Sequence, residues 1–347
     1  MSVFPVDLSS DTQTRPTADM RKAMANAEVG DEQKREDPSV NRLQDSVAEL
    51  TGKQAALFLP SGTMCNMIGH AIHCRPGDEI IVEESTHPVH FEGGGPAVHS
   101  RAQLRTLSTQ TGVFTPEQLE AAIRPNDPHF PNTRLVCVEN THNIRGGRIW
   151  SLEAVQAVAD CAGKHGLLLH LDGARLMNAV VASGTSAADY CRPFDSCWID
   201  LSKGLGCPVG AVIAGSKEFI DQAWRYKHLF GGAMRQAGII AAAGVHALQH
   251  HVDRLAEDHV KARALAMGLA EIKGITIDVN AVETNIVLFD TVDTGVGRST
   301  ILTRLLEHGV RFSPLMESTR LRAVTHLDIS HDGVERALSA LQTVLAQ

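Results

Sequence analysis

Three segments carry residue types that act together in one kind of chemistry: Ser61-Gly62-Thr63, Asp172 in Leu171-Asp172-Gly173-Ala174-Arg175, and Lys203 in Leu201-Ser202-Lys203-Gly204. A lysine at the end of a buried strand is costly unless it is used or paired, because removing an ammonium from water is unfavourable. Burial also lowers its pKa, and a neutral amine attacks aldehydes. Pyridoxal phosphate is the commonest aldehyde bound by a protein lysine as a Schiff base. That cofactor needs a carboxylate at its pyridinium nitrogen, a role open to Asp172, and a cradle for its phosphate. Ser61, Gly62 and Thr63 at a helix start supply the cradle, since unpaired backbone N–H groups and the positive dipole end both favour an anion. Each segment also has an ordinary reading: Asp172 and Lys203 as a salt bridge, Ser61 as a plain N-cap. Their joint occurrence in the order phosphate loop, aspartate, lysine favours the chemical one.

The elements that must position these residues follow from the patterning. Apolar, β-branched runs alternate with helical patterns from about residue 20 to 215, the signature of βαβ units and a mostly parallel sheet. Helices are expected over 38–51, 64–73 and 151–165, the last capped by Ser151 with Glu153 in its first turn. Strands are expected at 79–83, 135–139, 167–172, 195–201 and 208–214. In an open α/β sheet ligands sit beyond the carboxyl ends of the strands, and Glu139, Asp172 and Lys203 all fall at such ends. From 234 to 272 the chain reads as one long or two abutting helices. Short strands at 275–279, 285–289 and 321–329 then accompany helices at 298–307 and 333–345. The fold class is therefore α/β, a large cofactor-binding domain (1–250, with 1–35 contributing to the active site) followed by a small α+β domain (251–347) on one side of a cleft.

Composition narrows the partners. The chain has 347 residues, 43% apolar and 21% charged, as in a globular protein. A formal net charge of −8 offers no basic stripe to nucleic acid or an anionic membrane. No membrane-length apolar run and no leader pattern occur, so a soluble, cytoplasmic protein acting on a small molecule is expected. Seven cysteines without a Cys-x-x-Cys pair suit reduced thiols. The histidine spacings His70-x-x-His73-Cys74 and His87-x-x-His90 lack the remaining ligands of a zinc site, so no metal is expected. Gly-x-Ser-x-Gly, Walker and dinucleotide-binding patterns do not occur.

The segments Leu8-Ser9-Ser10-Asp11-Thr12-Gln13-Thr14, Glu36-Asp37-Pro38, Leu59-Pro60-Ser61-Gly62-Thr63-Met64, Glu139-Asn140-Thr141-His142-Asn143, Leu171-Asp172-Gly173-Ala174-Arg175, Leu201-Ser202-Lys203-Gly204-Leu205-Gly206 and Gly232-Ala233-Met234-Arg235-Gln236-Ala237-Gly238 resemble those of the low-specificity L-threonine aldolases. These are fold-type-I pyridoxal-phosphate enzymes within the β-eliminating lyase superfamily, and the resemblance spans essentially the whole chain. It implies a lyase that cleaves L-threonine, L-allo-threonine and related L-β-hydroxy-α-amino acids to glycine and an aldehyde. By the same resemblance Lys203 is the Schiff-base lysine, Asp172 the partner of the pyridine nitrogen, and His87 the ring that stacks on the cofactor. Ser61, Gly62 and Thr63 hold the phosphate, and Arg175 lies near the phenolic oxygen. Arg235 reaches a neighbouring subunit's phosphate, which implies a homo-oligomer with shared sites, a tetramer being expected. Ser10, Arg175 and Arg322 match the contacts to the substrate carboxylate, and His142 the residue near the β-hydroxyl. His142 and His87 are the candidate bases, since imidazole titrates near neutrality.

The chain departs from that family's pattern at its rim. Ser9 replaces an arginine, Lys34 stands where an aromatic hydroxyl is usual, Pro88-Val89-His90-Phe91 replaces a tyrosine-containing run, and His228 replaces a lysine. Lys34 then reads either as a contact for a second anionic group on the substrate or as a solvated loop lysine. A β-eliminating lyase or racemase on the same scaffold, or a cofactor-binding protein without turnover, are the alternatives to an aldolase.

Overall fold

The computed structural model describes residues 4–316 and 319–346. In chain order the strands are β1 (Val6–Asp7), β2 (Ala55–Leu59), β3 (Glu79–Glu83), β4 (Gln103–Leu107), β5 (Thr133–Glu139), β6 (Leu168–Asp172), β7 (Ser196–Asp200), β8 (Ala211–Gly215), β9 (Ile286–Asp290), β10 (Val310–Arg311), β11 (Ser313–Pro314) and β12 (Arg320–Val324). Seven form the central sheet in the order β2-β8-β7-β6-β5-β3-β4. Within it β8 runs antiparallel to both neighbours and every other pairing is parallel. The near-continuous apolar strands β3, β7 and β8 are buried along their whole length, as strands covered on both faces must be.

Local chemistry sets the helix starts. Asp37 caps Pro38–Thr51 by accepting from the backbones of Ser39 and Val40, and the helix stops at Gly52 in the left-handed region. Ser61 caps Gly62–His73 and Ser151 caps Leu152–Lys164. Strand alternation divides the side chains of β6 and β7 between two layers. Leu169, Leu171, Cys197 and Ile199 join the largest apolar core, whereas Trp198 joins the core beneath Gly62–His73 on the other side. His170, Asp172 and Ser196 share that second face with the same helix.

The C-terminal part differs from expectation in two places. Over 275–279 there is only an isolated bridge, Thr276 to Asp290, because Asp278 then caps a short turn, Val279–Ala281, through the Asn280 backbone. The last strand ends at Val324 rather than 329, where His326 turns back to the carbonyl of Asp7. The stretch from 234 resolves into two helices, Gly238–His250 and Leu255–Ala270. Strands β11, β12 and β9 make a small antiparallel sheet against Leu255–Ala270, Arg298–Glu307 and His331–Leu345. The chain start is stitched into this part: β1 pairs with β10, the Val324 amide donates to the Leu8 carbonyl, and Val6 and Leu8 pack in its core. Two-residue strands such as β1 and β10 are too short for a period to show in sequence. All seven cysteines are buried, free thiols.

Candidate active site

A cavity of about 490 Å³ opens at the carboxyl ends of β5, β6 and β7. Its wall includes Ser10, Ser61, Gly62, Thr63, His87, Asp172, Arg175, Lys203 and Arg322, nine of the eleven residues singled out from sequence. Lys203, 17% exposed, donates to Asp200 at 2.5 Å, so its charge partner is Asp200, three residues back, and not Asp172. Asp172 is almost wholly buried; one carboxylate oxygen accepts from the Ala174 backbone at 3.0 Å and the other from Asn66 at 2.8 Å. Burial, and then the nearby charge of Glu139, push its carboxyl up to about 7.

Gly62 opens the helix at the cavity wall. A Cβ there would lie 2.4 Å from the Trp198 ring and 3.1 Å from Asp200, so only glycine brings the first helical N–H groups to this position. Ser61 Oγ accepts from the Met64 backbone, while the N–H groups of Gly62 and Thr63 belong to the first turn, which has no intrahelical acceptors. An amine, a buried carboxylate with no cation paired to it among the described residues, and a glycine-built helix start on one wall are a donor set that fits pyridoxal phosphate.

The arginines differ in charge balance. Asp11, fully buried, accepts from Arg175 Nε at 2.7 Å and Nη2 at 2.6 Å, and from Asn285 at 3.2 Å. Burial alone would raise the Asp11 carboxyl, but Arg175 overrides it and holds it well below the usual carboxylate range. Arg322 donates to neutral acceptors: the Asn143 amide oxygen at 2.6 Å, the Ser9 carbonyl at 3.0 Å and Ser313 Oγ at 3.3 Å. Burial, with repulsion from Arg175, pushes it down to about 10. Among the described residues Arg322 has no carboxylate in ion-pair contact, so the wall holds an uncompensated cation.

Two residues singled out from sequence lie off this wall: His142, expected on it, and Arg235, expected at a neighbouring subunit's site. His142 has a fully buried ring bonded to Glu83 at 3.0 Å, and its backbone bridges to Arg148, which turns it behind the strand ends. Arg235 is 62% exposed and pairs with Asp31 at 3.0 Å. Its loop is pinned from below by Glu32, which accepts from the Met234 backbone and forms a buried ion pair with Lys227. Lys34 is exposed and away from the cavity, consistent with a solvated loop residue. His87 remains: its Nδ1 contacts Glu92 at 2.8 Å, and although burial pulls the ring down, that carboxylate raises it overall. Sequence reasoning gave no role to Asp11, Asn66, Glu92 or Asp200; for Asp200 the signal was its spacing of three from Lys203, and for Asp11 its place beside Ser10. A larger cavity of about 560 Å³ lies beside Arg145 and Arg148, whose charges are taken by Glu83, Glu84 and Glu283.

The sequence profile described as Beta-eliminating lyase matches residues 7–292. The chain belongs to the β-eliminating lyase family. It is 42% identical to Low-specificity L-threonine aldolase 1 of Arabidopsis thaliana, covering 99% of this chain and 98% of that one. It is 39% identical to the Low specificity L-threonine aldolase of Escherichia coli (strain K12), covering 99% and 100%. Its fold is that of a putative L-allo-threonine aldolase from Listeria monocytogenes (TM-score 0.81, 21% identity, 98% and 96% covered) and of Leishmania major threonine aldolase (TM-score 0.82, 19% identity, 98% and 99% covered). As a member of the β-eliminating lyase family, the chain is a lyase that uses pyridoxal phosphate.

Proposed function

We propose that the chain is an aldolase that cleaves L-threonine, L-allo-threonine and related L-β-hydroxy-α-amino acids between Cα and Cβ to glycine and an aldehyde. The observation that carries this reading is the meeting of Lys203, Asp172 and the uncompensated Arg322 on one cavity wall; the names of the Arabidopsis and E. coli relatives support it. Pyridoxal phosphate, when bound, supplies the electron sink for the pair left by the broken bond. Lys203 Nζ is the amine that would hold it, and its contact with Asp200 orients that amine on the wall. Asp172 would keep a proton on the ring nitrogen, and the N–H groups of Gly62 and Thr63 would hold the phosphate, with Ser61 fixing their turn. Arg322 binds the α-carboxylate, with Ser10 and the Asp11-braced Arg175 beside it. Held at that end, the substrate would have one orientation at Cα, which would select the bond that breaks. His87 is the base for the β-hydroxyl proton: Glu92 takes Nδ1 and leaves Nε2 for the substrate. Ile144 and the buried Leu315 add an apolar stretch to the same wall.

The same reading takes residues 1–250 as the cofactor domain, except that its first strand packs in the core of the cover, 251–347, and takes a cytoplasmic homotetramer as the working form. Arg235, exposed and carried away from its own cavity, supports sites completed by a neighbour. Supplying L-threonine, L-allo-threonine and L-phenylserine to the holoenzyme tests the reaction. Stoichiometric aldehyde and glycine are expected; ammonia with a keto acid, or no turnover at all, overturns it.

A further inference from the structure

Behind the cavity a mainly apolar layer contains a polar seam. It is built from Asn66 and His73 on helix Gly62–His73, His170 on β6, and Ser196 and Trp198 on β7. Asn66, His170, Ser196 and Trp198 are buried to 2% exposure or less. Helix and strand are shaped to admit it: a Cβ on residue 69 would lie 2.6 Å from the His170 ring, so Gly69 makes the room. Buried polar groups mostly keep a partner, and apart from His70, whose ring lies 5.6 Å from His170 with neither nitrogen hydrogen-bonded among the described residues, the partners here can be followed atom by atom.

The starting point is Trp198, whose indole N–H can only donate. It faces one atom of the Asn66 amide at 2.7 Å, and that atom is therefore the oxygen. The amide nitrogen then faces two acceptors, Asp172 Oδ2 at 2.8 Å and Glu92 Oε1 at 2.7 Å. The second contact of the Asn66 oxygen, His170 Nε2 at 3.2 Å, has to be an N–H. Burial keeps the His170 ring neutral, so its Nδ1 bears a lone pair and accepts the Ser196 hydroxyl at 2.7 Å. Ser196 has then used its only proton, and its oxygen accepts from His73 Nε2 at 2.7 Å.

We infer that His73, Ser196, His170 and Asn66 form a one-way chain of hydrogen bonds in which every donor points toward Asp172, and that this chain steadies the Asp172 carboxylate and aims it at the cofactor's ring nitrogen. An amide has no proton to pass on, so the chain carries polarisation and not a proton. Each bond strengthens the next donor in line, and the low dielectric of the layer leaves that effect unscreened. All four are positioning residues acting through Asp172. Asn66 also ties Asp172 to Glu92, the support of His87, while its helix begins at the Gly62 phosphate cradle. One helix thus sets both ends of the cofactor site.

This inference rests on Asp172 being the ring-nitrogen partner, and its test separates the two. The affinity of the apoprotein for pyridoxal phosphate is compared, by equilibrium dialysis, with that for the deaza analogue in which C–H replaces the ring nitrogen. Wild type should prefer the true cofactor; equal affinity sinks the Asp172 assignment itself. Asn66→Ala should cut the preference by about tenfold, the effect of losing a hydrogen bond to a charged group. Ser196→Ala, which touches neither Asp172 nor the cavity, should cut it by roughly two- to threefold through lost polarisation, and Ser196→Thr, which keeps the hydroxyl, should restore it. A mere packing role would lower the melting temperature of both alanine variants and leave the preference unchanged. That result overturns the chain, and the Ser196 pair keeps the test decisive if Asn66→Ala does not fold.

Discussion

The Asp11–Arg175 pair offers the sharpest test of the site's construction. Both side chains are buried, and two guanidinium N–H groups meet the two carboxylate oxygens at 2.6 and 2.7 Å. Asp11→Asn leaves Arg175 as a buried charge with a neutral partner. Breaking a buried pair from one side costs about 3–5 kcal/mol. With an unfolding entropy of roughly 2.1 cal/mol/K per residue, a chain of this length loses about 4–7 °C of melting temperature, readable by scanning calorimetry at neutral pH. Because the folded carboxyl is held below its unfolded value of 3.8, the stabilisation is complete above that pH and drains away as the pH falls below it. The difference between wild type and variant should therefore shrink below about pH 4. Removing the stranded charge as well, in Asp11→Asn/Arg175→Met, should recover most of the lost stability, since replacing both partners of a buried pair is close to neutral. A shift under about 1 °C for the single variant, or a further fall in the double one, would refute the reasoning.

Other consequences follow from the same geometry. Gly62→Ala drives a methyl into Trp198 and displaces the helix start; pyridoxal phosphate affinity, followed by dialysis, should fall about tenfold or more, in line with the loss of one or two charge-assisted hydrogen bonds. Arg322→Ala should raise KM for L-threonine by roughly 10- to 100-fold and lower kcat as well, because the lost contact both holds the carboxylate and aligns the bond to be broken. In the cofactor-free protein the Asp172 carboxyl sits at about 7 against an unfolded 3.8. A raised acid binds its proton more tightly when folded, so stability is present below the unfolded value and is lost as the pH rises through the folded one. Wild-type apoprotein should lose stability across that window and Asp172→Asn apoprotein should lose less, as melting curves from pH 4 to 8 would show.

Legibility from sequence divides along physical lines. Helix Pro38–Thr51 and strand β3 stand where patterning put them, because a capping Asp37 with Pro38 and an unbroken apolar run are local signals. Lys203 and Asp172 were found as polar residues closing buried strands, and the structure brings both to one wall. Lys203 nevertheless pairs with Asp200, and His142, beside the strand end at Glu139, faces away from the cavity toward Glu83. The direction of a side chain at a strand end depends on the loop that follows, which carries no period.

What the amino-acid order settled by itself was the layering of helices on a mostly parallel sheet and the set of cofactor-binding residue types, since both are written in short-range spacing. Tertiary structure alone decided that Asp11 neutralises Arg175 across 164 positions, that Arg322 is left uncompensated, and that Asn66 braces Asp172 across 106. Such pairings are fixed by which strand lies beside which helix, and the free energy of a buried charge depends on the neighbours that packing brings to it rather than on its neighbours in the chain.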